Sequence, residues 1–309
     1  MRPFRFAVQV DGAPTGKAWR DLARKTEDLG YSTLFVPDHF GDQWAPIVAL
    51  TVAAEATTTL RVGSLVFDND YRHPLVLAKE LASLDLASEG RLEAGIGAGW
   101  MKSDYDESGI AYDPPATRVQ RFEEGVQVIK ELLAEGSCTF KGKHYQLSGA
   151  QGHPRPHTPG GPPILIGGGS RRVLGIAGRH ADIVGINPNL AAGYVGAETA
   201  AESVPAKFDQ RVAWVRDGAG ERFDQLELQC LTFFVQVGVE PKEMAANIAP
   251  MFGLDPEEAL DIPLALAGSV DFICETLEAR RQRWGFNYVV VHQPEMEAFA
   301  EVVSRLAGR

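Results

Sequence analysis

The chain has 309 residues, of which 45% are hydrophobic and 23% charged, a composition that is typical of a folded globular protein and excludes wholly disordered or collagen-like chains. Its 30 basic and 41 acidic residues give a formal net charge of −11, which argues against nucleic acid and anionic membranes as partners. Three scattered cysteines form no disulfide framework, and no apolar run approaches a secretory leader or the ~18 residues of a membrane span, so we expect a cytoplasmic protein.

Strand-like apolar runs alternate with helical periodicity from one end of the chain to the other. The predicted strands are 4–10, 33–36, 60–67, 91–97, 164–166, 181–186, 226–237 and 287–291. The predicted helices cover about 19–29, 44–56, 77–84, 119–133, a segment from 170, and about 200–217, 241–284 and 296–306. Eight strand–helix units predict parallel strands with right-handed crossovers, and they favour a closed (β/α)8 TIM barrel over an open doubly wound sheet.

The length alone suggests two domains at about 150 residues each. Eight units fill one barrel, however, and no linker divides the chain, so we predict a single domain over 1–309. The excess length is assigned to insertions at about 136–163 and 187–222. Both are expected to follow strands and therefore to lie at the C-terminal face of the barrel, where the functional loops of this fold lie.

The first candidate site follows strand 33–36 directly, where the sequence reads Pro37-Asp38-His39-Phe40. Histidine suits proton transfer near neutral pH, and Asp38 could orient the backbone or a cofactor. The alternative is an ordinary turn in which Asp38 makes a local hydrogen bond and His39 packs on the rim.

The second candidate is the turn Gly167-Gly168-Gly169-Ser170, which follows strand 164–166 and opens a helix. Glycines let the backbone approach an anion, the helix N-terminus supplies N–H donors, and Ser170 is a good N-cap. Arg171 and Arg172 add positive charge. We therefore favour a phosphate site over a plain glycine-rich turn.

Two more strand ends contribute candidates. Gly95-Ile96-Gly97-Ala98-Gly99-Trp100 lacks the full dinucleotide fingerprint, so its glycines suggest either a flat ligand lying on the strand end with Trp100 as a wall, or tight packing. Ser64-Leu65-Val66 could form a bulge that presents backbone to a ring, or continue a buried strand. The chain has no P-loop, nucleophile elbow, HExxH motif or Cys/His group with zinc spacing, so no metal is expected.

Together these motifs resemble the bacterial-luciferase-like superfamily. The matching segments are 36–39, 71–74, 84–92, 95–100, 163–169 and 181–182. The segments 268–277 and 284–291 are similar to its branch of deazaflavin (coenzyme F420)-dependent oxidoreductases. The resemblance implies a (β/α)8 barrel, a homodimer, and a flavin or deazaflavin held at the strand C-termini.

The resemblance also implies roles for individual residues. His39 matches the active-site histidine, and Leu65-Val66 matches a bulge that carries a non-prolyl cis peptide in relatives. The residues that the resemblance and the motifs together assign to the cofactor are Asp38, Ser64, Leu65, Val66, Gly99, Trp100, Ser103, Gly167, Gly168, Gly169 and Ser170. Asp104 and Tyr105, next to Ser103, are further candidates for contact with cofactor or substrate.

One departure from the branch concerns Trp100, which stands where sugar-phosphate and alcohol dehydrogenases place a glutamate that transfers a proton. Its presence argues against those substrates. The favoured hypothesis is an F420-dependent oxidoreductase that passes a hydride between the deazaflavin and a small organic substrate, with His39 as a hydrogen-bond or proton donor. The alternatives are an FMN-dependent monooxygenase supplied with reduced flavin by a separate reductase, and a flavin-binding protein without turnover.

Overall fold

Eight parallel strands form the centre of the computed structural model, which describes residues 1–194 and 196–309. They are β1 (Arg5–Gln9), β2 (Thr33–Val36), β3 (Arg61–Ser64), β4 (Leu92–Gly97), β5 (Ile164–Gly168), β6 (Ile183–Ile186), β7 (Glu227–Leu231) and β8 (Phe286–His292). Each strand pairs with the next, and β8 pairs with β1. The sheet is therefore closed, and the predicted (β/α)8 barrel is confirmed.

One long helix returns the chain after each strand. These helices are α1 (Gly16–Asp28), α2 (Pro46–Ala56), α3 (Pro74–Ala87), α4 (Pro115–Glu135), α5 (Arg171–His180), α6 (Pro205–Ala219), α7 (Val270–Trp284) and α8 (Met296–Leu306). Their starts follow familiar rules, because the side chains of Thr15, Ser170 and Ser269 accept first-turn N–H groups, and proline opens α2, α3, α4 and α6. Within the described ranges, none of the helices is both long and apolar enough to cross a bilayer.

The lower end of the barrel interior is closed by a buried ionic network. The carboxylate of Glu93 accepts hydrogen bonds from Arg5 (2.7 Å), Arg61 (2.8 Å) and the hydroxyl of Tyr288 (2.9 Å). Arg5 also forms a salt bridge with Glu227, at 2.6 Å. Because each buried charge has a partner, this polar layer can sit beneath the apolar middle of the barrel without leaving an uncompensated ion.

The predicted strand 226–237 divides into two. β7 ends at Leu231, the N–H of Thr232 bonds the carbonyl of Val290 (2.9 Å), and a separate strand Phe234–Val237 pairs in parallel with Ala265–Gly268. The short helices Pro241–Phe252 and Pro256–Ala259 lie between these two strands in the chain. The segment 232–269 is therefore an insertion after β7 that the sequence analysis did not separate from the barrel.

The two predicted insertions behave differently. Residues 187–204 follow β6 and include the short helix Ala197–Ala201, whereas α6 and the 3₁₀ turn Gly220–Gln225 belong to the return path. The expectation that 136–163 follows a strand is wrong, because this segment leaves α4 and leads into β5, at the opposite end of the barrel. It forms the antiparallel hairpin Ser137–Lys141 and Gln146–Gln151, whose turn N–H groups bond the carboxylate of Glu124 on α4.

Candidate active site

The bulge after β3 is the first feature of the barrel mouth. The peptide bond between Leu65 and Val66 is cis, as the resemblance implies, and the hydroxyl of Ser64 donates to the carbonyl of Val36 (3.0 Å). Facing glycines make room for it. A Cβ on Gly95 would lie 2.0 Å from the Ser64 carbonyl oxygen, and a Cβ on Gly97 would lie 2.5 Å from Val66 Cγ2. These two glycines are therefore required by packing, which agrees with the alternative considered for them.

His39 lies three residues beyond the end of β2 and is held by a carboxylate from the short helix after β4. Its Nδ1 lies 2.6 Å from Oδ2 of Asp104, and the Tyr71 hydroxyl donates to that same oxygen at 2.9 Å. The Asp104 side chain is only 5% exposed, whereas that of His39 is 22% exposed. An ionised carboxylate only accepts hydrogen bonds, so Nδ1 carries a proton and Nε2 is the ring nitrogen left for chemistry.

Asp38 supports the chain that follows the bulge. Its carboxylate accepts hydrogen bonds from the guanidinium of Arg72 (2.6 Å and 3.3 Å) and from the backbone N–H of Asp68 (3.0 Å). Hydrogen bonding to the Asp38 carboxylate helps to raise the pKa of Arg72 against the effect of burial. The carboxylate thus fixes the chain that follows the cis peptide, which is the local role weighed for Asp38.

A second carboxylate behind the bulge has unusual acidity. Burial raises the pKa of Asp68 to about 7, and the neighbouring carboxylates of Asp70 and Asp38 act in the same direction. The phenol of Tyr105 donates to Asp70 (3.0 Å) and lies 3.4 Å from Asp68. This group is therefore protonated over much of the acidic range.

The loop after β4 forms one wall of the mouth. The Trp100 ring meets the His39 ring edge-on, with centroids 5.7 Å apart, and the Trp100 carbonyl accepts the Tyr112 hydroxyl (3.1 Å). Gly99 has φ +73°, and a Cβ there would lie 1.9 Å from the Tyr105 oxygen. Ser103 is exposed on the short helix Lys102–Ser108, whereas its neighbour Asp104 is buried. Asp104 is therefore the residue of this helix that reaches His39.

The glycine turn after β5 is closely packed on its inner side. A Cβ on Gly168 would lie 2.4 Å from Val173 Cγ1, and one on Gly169 would lie 2.3 Å from the Pro188 carbonyl oxygen. Ser170 caps α5 through the N–H of Val173 (3.4 Å). The other first-turn N–H groups of a helix have no intrahelical acceptor, so this end of α5 keeps the positive dipole and donors that an anion needs.

These features fit a flat, anionic cofactor better than a metal ion. The mouth combines the cis bulge, glycines at the strand ends and a helix N-terminus, which suit a planar ring and a charged tail. Across the described part of the chain, no group of three or more His, Cys, Asp or Glu side chains is arranged to hold a metal. The sequence analysis named most of this mouth but gave no role to Tyr71 and preferred Ser103 to Asp104.

Comparisons with known proteins agree with the geometry. The family model described as luciferase-like monooxygenase matches residues 1–252. An F420-dependent glucose-6-phosphate dehydrogenase of Amycolatopsis mediterranei is 31% identical over 53% of this chain, and the match spans about half, 52%, of that enzyme. The enzyme of the same name from Nakamurella multipartita is 26% identical over 94% of this chain and 91% of that enzyme.

A solved structure supports the fold independently. The F420-dependent tetrahydromethanopterin reductase from Methanopyrus kandleri has a TM-score of 0.78 and 20% identity, and the superposition covers 99% of this chain and 98% of that one. At this identity the likeness establishes the barrel architecture alone.

Proposed function

Because the chain belongs to the luciferase-like monooxygenase family and is an oxidoreductase of that family, we propose that its cofactor is the deazaflavin coenzyme F420. Its reaction is the transfer of a hydride between that cofactor and a small organic substrate. The similarity to two F420-dependent enzymes over half and nine-tenths of the chain supports this choice. The deazaflavin, when bound, supplies the hydride chemistry, and the protein supplies position and proton transfer.

The observation that carries the proposal is the pair formed by His39 and Asp104. With Nδ1–H directed at the carboxylate, Nε2 of His39 is free to donate a proton to the substrate or accept one while the hydride moves. The negative charge of Asp104 stabilises the imidazolium form during this transfer. A protein that only stores a flavin has no use for this arrangement, which disfavours the hypothesis of binding without turnover.

The cofactor contacts follow from the same geometry. The backbone of Leu65-Val66 and the glycines at 97 and 99 would hold the ring, with Trp100 at its side. The turn 167–170 and the N-terminus of α5 would hold the anionic tail. Ser103, which is exposed, would reach only a part of the cofactor that leaves the mouth.

A second candidate function is supported by the family itself, which is described as monooxygenase. In that case FMN replaces F420, and a separate reductase supplies the reduced flavin. Trp100 favours neither cofactor, but it removes the acidic group that would serve a sugar-phosphate substrate, so we do not extend the substrate of the glucose-6-phosphate enzymes to this chain. A homodimer and a cytoplasmic location stay predictions.

Fluorescence titration of the purified protein with F420 and with FMN separates these candidates. We expect micromolar or tighter binding of F420 and weaker binding of FMN. Tight FMN binding with negligible affinity for F420 would overturn the proposal in favour of the monooxygenase. His39→Ala is the companion variant: we expect turnover to fall by about 10²-fold, the contribution of one general acid, while the Kd for F420 changes less than threefold.

A further inference from the structure

Gln229 is a polar side chain of the barrel interior whose amide has no partner in the described part of the chain. Gln229, in the middle of β7, is fully buried, and neither its Oε1 nor its Nε2 has a hydrogen-bond partner among the described residues. The side chain points inward, because Gln229 pairs with Gly185 and Tyr288, and its neighbour at i+2, Leu231, belongs to the interior apolar cluster. By contrast, the interior ions Arg5 and Glu93 pair with each other, and the buried Oε1 of Gln9, at the end of β1, is a further interior amide oxygen without a partner among the described residues.

Gln229 lies next to two neighbouring glycines, Gly185 and Gly167, which lead toward the mouth. A Cβ on Gly185 would be 2.9 Å from Gln229 Oε1 and 3.4 Å from Gly167 Cα. A Cβ on Gly167 would be 3.7 Å from Val66 Cγ1, on the cis bulge. Since these glycines have no side chains, nothing of theirs separates the Gln229 amide from the ring site above it.

A second amide lies beside the same two glycines. Asn187, which follows β6, has its Nδ2 3.6 Å from the Cβ position of Gly167, and its buried Oδ1 also has no partner among the described residues. An amide side chain offers a donor and an acceptor side by side, whichever way it is turned. Two such groups suit a neutral ligand edge that carries an N–H next to a C=O, whereas a phosphate or carboxylate would use only their NH₂ donors and leave both oxygens without a partner.

We propose that Gln229, assisted by Asn187, binds the pyrimidinedione edge of the cofactor ring, where an imide N–H stands between two carbonyl groups. This inference rests on the proposed function, because it requires a flavin or deazaflavin ring in the mouth. An amide that makes no hydrogen bond with the protein keeps both its donor and its acceptor available for the ring. Gln229 is thus assigned as a residue that binds the cofactor ring.

The test measures affinity and stability rather than turnover. The probes are 5-deazariboflavin and its N3-methyl derivative, in which the imide N–H is replaced by a methyl group. The variant is Gln229→Met, which keeps the length of the side chain and removes both polar atoms. Gln236→Met, on an exposed position of the neighbouring strand Phe234–Val237, is the matched control.

For the unaltered protein we expect N3-methylation to weaken binding by about tenfold, the effect of losing one buried hydrogen bond. Gln229→Met should weaken 5-deazariboflavin by a similar factor and bind the methylated ring no worse than the parent. The melting temperature of the empty protein should stay level or rise. Gln236→Met should change neither affinity nor melting temperature.

Three results would overturn the inference. The first is unchanged affinity for 5-deazariboflavin in Gln229→Met. The second is equally weakened binding of both rings together with a lower melting temperature, which would make the amide a structural group satisfied by water. The third is that the protein binds neither a deazaflavin nor FMN. If the protein binds FMN but no deazaflavin, the proposed function fails alone, and FMN with its N3-methyl analogue tests the same edge. If it binds neither ring, both ideas fail.

Discussion

Asp104→Asn is the most informative single change at the active site. The substitution keeps the size of the side chain and removes the negative charge that faces Nδ1 of His39 at 2.6 Å. The asparagine can also turn its NH₂ group toward His39, which would force Nδ1 to accept and place the proton on Nε2. Either outcome weakens the imidazolium form that proton transfer requires.

The magnitude follows from the burial of the pair. A hydrogen bond to a charged group contributes about 1.5–3 kcal/mol. Asp104 is almost fully buried, but His39 keeps 22% of its side-chain surface exposed, so solvent screens part of the interaction and we take about 2 kcal/mol. At 1.36 kcal/mol for each factor of ten, turnover should fall about 30-fold.

The assay compares kcat with the Kd for F420, each measured for the Asp104→Asn variant and for Asp106→Asn. Asp106 lies on the same short helix, is exposed and pairs with Lys102, so its change should leave turnover unaltered. We expect the low-field Nδ1–H proton resonance of His39 to move upfield in Asp104→Asn only. Turnover within twofold of the unaltered enzyme would refute the role of Asp104 as a positioning residue, as would a loss of affinity equal to the loss of rate.

Two further predictions concern Gly97 and Asp68, which lie next to the bulge after β3. Gly97→Ala should weaken F420 binding by at least about tenfold, because its Cβ would lie 2.5 Å from Val66 and displace the bulge. Gly41→Ala is the control and should bind F420 normally, because the space around Gly41 is open. Equal affinities of the two variants would contradict the role of Gly97. Asp68→Asn should reveal a pH-dependent term in stability. A carboxyl whose pKa is raised in the folded state adds stability that is fully present below its unfolded pKa of 3.8 and is lost as pH rises through about 7. Between pH 5 and pH 8, the free energy of unfolding of the unaltered protein should therefore fall by about 2–3 kcal/mol relative to that of Asp68→Asn. Urea unfolding at both pH values measures this difference. A constant difference across that range would show that Asp68 is already ionised at pH 5.

The architecture could be predicted from the sequence because alternation and helix periodicity are local properties. Strands such as β2 and β6 are buried on both faces, so they appear as short continuous apolar runs, and the glycine-serine turn marks the start of α5. The His39 and Gly167 regions were found because functional groups follow strands in this fold.

The contacts between loops could not be predicted in the same way. Asp104 reaches a residue 65 positions earlier, and no periodic pattern encodes such a pairing. Ser103 and Asp104 were both named as candidates, and nothing in the sequence around them shows that of the two only Asp104 is buried. Gln229 looks like any residue of an apolar strand until Gly185 is placed beside it. The hairpin was assigned to the wrong end although the predicted helix 119–133 directly precedes it and the predicted strand 164–166 directly follows it.

The hairpin that leaves α4 links the two ends of the barrel. It is rooted where a barrel of this kind normally carries only stability, yet the hydroxyl of Tyr145, at its turn, accepts a hydrogen bond from Asn69 (3.1 Å), whose own N–H bonds the carbonyl of Gly97 (3.0 Å). The hairpin thus supports, from outside the barrel, the chain that carries the cis bulge. Sequence drift in a segment remote from the ligand can therefore alter the shape of the mouth, and trimming it to shorten the protein would remove a support of the active site.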